Sequence, residues 1–154
     1  MDKAKLEKLR ELYGDADGSV YLTERFKHVG EKLADRPHST TKPFAGVSTF
    51  LDMPHQPEFE GLDVALVGVP MDLGVTNRAG ARYGPRAVRA MERIGPYNHA
   101  LDEVPRGVLK AADIGDVPMR SRFSLTKSLE DIEAFYKKIV AAGVLPLSVG
   151  GDHS

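Results

Sequence analysis

An α/β fold built on a parallel β-sheet is predicted by three observations. Apolar runs at residues 62–70, 108–117 and 144–149 alternate with helical patterns at residues 84–94 and 124–142. The first run is nearly continuous rather than alternating, which is how a strand buried on both faces reads. Polar residues and glycines follow each run, at the strand ends where parallel sheets of this kind place their chemistry.

The elements follow in order. Residues 2–13 place Leu6, Leu9 and Leu12 among lysines and glutamates, a short amphipathic helix pattern. Gly14-Asp15-Ala16-Asp17-Gly18 breaks it. From there to Gly61 the chain is irregular, with Pro37, Pro43, Pro54 and Pro57 opposing regular structure. Residues 1–61 therefore form a helix and leader, suited to wrapping a domain or touching a neighbouring subunit. Residues 62–154 carry the ordered α/β portion.

The first strand spans Leu62 to Pro70, and a loop runs from Met71 to Gly84. Gly84-Pro85 marks a helix start, since proline suits the first helical position. Ala87, Val88, Met91 and Ile94 give that helix an apolar face, and Gly95-Pro96 ends it. Val108 to Val117 is the second strand. Leu125, Leu129, Ile132, Tyr136 and Ile139 recur at spacings of four and three, so a helix runs from Ser124 to Ala142 and Gly143 closes it. Val144 to Val149 is a third, buried strand. No internal repeat or low-complexity tract interrupts the order.

Composition narrows the function classes. A chain of 154 residues can bury one ordinary core, and 42% hydrophobic with 28% charged residues is the balance of a globular protein. A net charge of -1 argues against a dedicated nucleic-acid or anionic-membrane binder. There is no cysteine, hence no disulfide and no thiolate ligand. No apolar run is long enough to span a bilayer, and the charged amino terminus is unlike a signal peptide; the expected location is the cytoplasm.

Three motifs carry chemistry, each with a plainer alternative. Gly150-Gly151-Asp152-His153-Ser154 follows the third strand. His153 can be a neutral imidazole ligand for a divalent metal, with Asp152 as a supporting carboxylate and the two glycines letting the backbone turn. Equally, Asp152 could cap a following helix and leave His153 merely polar, or the Gly-Gly turn could cradle a phosphate. The loop from Gly74 to Arg86, with Arg78, Arg82, Arg86 and Arg89 spaced by four, four and three, could hold an anion. The favoured alternative is that these arginines clamp carboxylates within the fold or across a subunit contact. Thr76 and Asn77, nearer the strand end, are better placed to bond a substrate. Asp113 and Asp116 could be metal ligands or an acid/base pair, although closing a strand and a turn is the commoner use. His28, His38, His55 and His99 have no partner at ligand spacing and are taken as solvent-facing. Phe135 and Tyr136 on the long helix are core or surface residues and not a cofactor box.

Taken together, five segments resemble the ureohydrolase superfamily, its agmatinase-like branch in particular. They are Phe44-Ala45-Gly46-Val47-Ser48-Thr49-Phe50 with Pro54, then Val67-Gly68-Val69-Pro70-Met71-Asp72. The set continues through Gly80 to Arg89, Asp113 to Val117 and the terminal Gly150 to Ser154. The resemblance implies a three-layer α/β/α arginase-like fold. It also implies two divalent metal ions, usually Mn2+ and in some members Ni2+, with His153 as ligand to one. In such enzymes a metal-bridging hydroxide attacks the guanidinium carbon, releasing urea and an amine.

The substrate class implied is a small guanidino compound: agmatine, a guanidino acid or guanidine. The family's Asp-Ala-His-x-Asp and Asp-x-Asp segments are not found in these residues. The other ligands and the acid/base residues are therefore expected beyond Ser154, and this chain alone is expected to be inactive. A homo-oligomer, trimer or hexamer, is implied as well. Two other classes stay open: a non-catalytic interaction or oligomerisation module, and a phosphate- or nucleotide-binding module using the glycine-rich strand ends.

Overall fold

The computed structural model describes residues 2–13, 28, 32, 45–91 and 97–153. The leader's break at Gly14–Gly18, Pro37, Pro43, His38, Phe44, Ile94, Gly95-Pro96 and Ser154 lie outside the described residues, as do the side chains of Leu9 and Leu12. The elements are α1 (Lys3–Tyr13), β1 (Val64–Val69), α2 (Gly84–Arg89), α3 (Pro105–Val108), β2 (Ala111–Asp116), α4 (Leu125–Ala141) and β3 (Leu145–Gly150).

The three strands form one parallel sheet in the order β2-β1-β3. β1 sits in the middle because it is apolar on both faces: Ala65, Leu66 and Val67 are buried in succession. Alternation of side chains then sorts its neighbours. Ala65 and Val67 join Ile114, Val117, Ile139 and Val144 in a cluster under α4, whose Ile132, Phe135 and Tyr136 pack against it. Leu66 turns to the other face and meets Phe50 and Met53. Both of these lie in the segment expected as leader, so residues 50–53 belong to the packing of the sheet. They form a tight 3-10 turn at Phe50–Asp52. The layers are thus helix, sheet, and a layer of turn and short helix, in keeping with an α/β arginase-like architecture.

Helix α4 begins at a true cap: Ser124 is extended and its hydroxyl accepts the Lys127 N–H. Ser128, fully buried, donates to the carbonyls of Ser121 and Ser124. Gly143, with φ 75°, lets the chain turn back into β3.

Three sequence expectations change. The second strand starts at Ala111, not Val108, because Pro105 opens a short helix that ends at Val108; Val108 and Leu109 are exposed. α2 stops at Arg89, and its supposed apolar face is turned outward, with Ala87, Val88 and Met91 all exposed. Its position is set instead by buried Pro85 and by Arg89. β3 is not a buried strand. Among the described residues only β1 pairs with it, and Leu145 and Leu147 are 64% and 48% exposed.

Candidate functional site at the carboxyl end of the sheet

The chain leaves β1 through Pro70 and Met71 into Asp72, whose carboxylate is shut off from solvent. Asp72 folds the loop that follows back on itself. It accepts the Gly80 N–H at 2.7 Å and the Arg82 Nε–H at 2.6 Å, and Arg82 Nη2 lies 2.5 Å from the same oxygen as Nε. The hydrogen bonds from Arg82 outweigh the desolvation that would raise its pKa, and with the Gly80 N–H they hold the carboxyl at about 2. In the sequence Asp72 stands out only as the last residue of the Val67–Asp72 segment. Its placement eight and ten residues before Gly80 and Arg82 was the available signal.

A second carboxylate works on the β2 side. Asp113, 1% exposed, sits opposite Leu66 in the sheet and therefore faces Phe50. It accepts from the N–H of Phe50 and of Gly115, and from Nε and Nη2 of Arg89 at 2.7 and 2.9 Å. Burial pushes its pKa upward, but these donors, Arg89 foremost, outweigh it and hold the group below the ordinary carboxylate range. Arg89 also bonds Asp116 and stacks its guanidinium 4.0 Å from the Phe50 ring centre. Asp113 and Asp116 are thus occupied as arginine partners. The arginine run divides accordingly: Arg82 and Arg89 clamp carboxylates within the fold, while Arg78 engages none among the described residues and lines a cleft.

That cleft lies at the end of β3. Its volume is about 530 Å³, and its walls are residues 74–78 with Asp152 and His153. The turn out of β3 is stitched to the loop after β1. Gly151 N–H donates to Ala81 at 3.4 Å, and Asp152 N–H to the Met71 carbonyl at 2.8 Å. The Asp152 carboxylate accepts the Gly74 N–H at 2.7 Å. The Gly150–Gly151 peptide is cis. Gly151 has φ 59°, and a Cβ there would overlap the carbonyl oxygens of Val69 and Met71, so no other residue fits the approach. A Cβ at Gly84 would likewise overlap the Gly150 carbonyl oxygen, so the start of α2 packs against this turn only as glycine.

His153 ends the turn exposed and has no hydrogen-bond or ion-pair partner among the described residues. An imidazole so presented fits one position of a metal's coordination shell. The described residues contain no group of three His, Asp or Glu side chains able to hold an ion, so they supply one ligand and not a set. Thr76 and Asn77 share the cleft with it. The other three described histidines are exposed but partnered. His28 Nε2 lies 3.4 Å from Asp102, His55 Nδ1 lies 3.1 Å from the Asp113 carbonyl, and His99 packs edge-on to Tyr97. They are surface struts, not bystanders.

The arginase family profile matches residues 62–154, more than half of the chain. The chain belongs to the arginase family. Among its relatives, guanidinopropionase of Pseudomonas aeruginosa is 46% identical over 111 residues, spanning 71% of this chain and 35% of that protein. A hypothetical agmatinase from Burkholderia thailandensis superposes with a TM-score of 0.69 at 30% identity, over 77% of this chain and 39% of the other. Trypanosoma cruzi formiminoglutamase, solved with Mn2+, gives 0.51 at 27% identity over 69% of this chain and 36% of the other. The arginase-family chain described here therefore spans between a third and two fifths of the length of these proteins.

Proposed function

We propose that the complete protein is a metal-dependent amidinohydrolase that cleaves a guanidino compound to urea and an amine. The observation that carries this reading is the joint placement of His153 and residues 74–78 around one cleft at the carboxyl end of the sheet, in an arginase-family fold. His153 holds one of two divalent ions, Mn2+ in the first instance and Ni2+ as the alternative. Bound there, the ions supply a hydroxide at neutral pH and stabilise the charge that develops on the substrate. The chain's own residues do the rest of what is visible. Gly150 and Gly151 bring the turn close to the β1 loop, Asp152 ties the two together, and Thr76 and Asn77 offer hydrogen bonds to the substrate's chain. The further metal ligands and the acid/base groups come from outside these 154 residues.

The test is urea release by the complete, Mn2+-loaded enzyme from agmatine, guanidinopropionate, guanidinobutyrate and guanidine. His153→Ala is expected to abolish release and to lower bound metal. Urea release that persists undiminished in His153→Ala, or in metal-stripped enzyme, would overturn the proposal.

A further inference from the structure

We propose that Asp152 is a positioning residue that latches the 74–78 loop to the turn carrying His153 and so holds the substrate-facing wall of the cleft in place. The inference rests on the reading of the cleft as a guanidino-substrate site. One residue reaches the loop twice, its N–H bonding the Met71 carbonyl and its Oδ2 accepting the Gly74 N–H at 2.7 Å. Asp72 anchors the far end through Gly80 and Arg82. Residues 74–78 therefore hang between two carboxylates, and exposed Thr76, Asn77 and Arg78 are among the residues that line the cleft.

A carboxylate is the stronger kind of acceptor for a backbone N–H. Among the described residues the Asp152 carboxylate is the partner that holds the Gly74 N–H, whereas the other anchor has four contacts converging on Asp72. Without the latch the loop must be ordered each time substrate binds, and that cost falls on binding. A group acting this way shows itself in KM while kcat is nearly kept. A group that orients the His153 ring would instead show itself in metal content. The geometry favours the first, since the Asp152 carboxylate accepts the Gly74 N–H on the cleft wall itself.

The experiment compares the complete Mn2+-loaded enzyme with Asp152→Ala, Asp152→Asn and Asp152→Gln. Asp152→Ala is expected to raise KM about tenfold, the loss of one charge-assisted hydrogen bond, with metal content unchanged. Asp152→Asn keeps an acceptor oxygen in place and is expected to recover most of the loss. Asp152→Gln displaces the acceptor by one methylene and is expected to behave like alanine, which keeps the comparison open if Asp152→Ala does not fold. Amide hydrogen exchange of residues 72–80 in metal-free protein is the second readout. Exchange should quicken in the alanine and glutamine variants and not in asparagine.

Unchanged exchange would overturn the latch, and faster exchange with unchanged KM would overturn its role in substrate binding. Metal loss with KM unchanged would do the same by assigning Asp152 to His153. A wild-type enzyme that releases no urea from any guanidino compound defeats the proposed function alone; the exchange comparison still decides the latch.

Discussion

Arg89 shows how much one side chain organises in this chain. Its guanidinium spans Asp113, Asp116 and the Phe50 ring, so a single residue joins α2, β2 and the 50–52 turn. Asp113 is closed to solvent, and removing its partner leaves an uncompensated charge where water cannot reach it. Arg89→Ala is expected to destabilise the fold by about 3 kcal/mol, read from denaturant midpoints. Arg89→Lys should restore only part, because an ammonium cannot bridge two carboxylates in the same planar fork. A midpoint unchanged by Arg89→Ala would mean that the network contributes nothing net. The spacing of the arginines was legible in the sequence, and so was the preference for carboxylate clamping. Which arginines clamp was not legible, because Asp113 lies 24 residues from Arg89 and only strand pairing brings it to that face.

At the scale of elements, β3 is where pattern and environment part. Its apolar run looks like a core strand, and in pairing it is one side of a regular parallel ladder with β1. Yet Tyr136 of α4 covers it at Ser148, and on the other face Leu145 and Leu147 project beyond the reach of the Phe50 cluster. An edge strand with an exposed apolar row is a template for pairing with another chain. The 154-residue chain alone is expected to self-associate as its concentration rises, and Leu147→Lys to shift it toward monomer in sedimentation velocity. A wild-type chain that stays monomeric at high concentration would contradict this. Periodicity cannot report such a difference: it records which residues prefer burial, not whether a neighbour arrives to bury them. The same reason explains α2, whose apolar residues face outward while Pro85 and Arg89 set its seat.

Across the whole molecule, the two buried carboxylates set how the fold responds to acid. Asp72 is held at about 2, well below its ordinary 3.8, and Asp113 is also lowered. A depressed folded pKa contributes stability that is present above the unfolded value and lost as pH falls through the folded one. Stability is therefore expected to hold above about pH 4 and to decline from there toward about pH 2. The denaturant midpoint followed across that window checks it; Asp72→Asn should flatten the slope, and an equally steep slope in that variant would assign it to other groups.

The order of strands and helices, the parallel sheet, and the resemblance carried by five spaced segments were all determined by sequence, because periodicity and motif spacing are local properties of the chain. So was the position of His153 at a strand end. Only the tertiary structure decided that Asp152 binds Gly74, that Asp72 closes its loop through Gly80 and Arg82, and that Phe50 belongs to the core. Those facts depend on which distant segments the sheet register places side by side, and register is a property of the packed chain, not of any window along it.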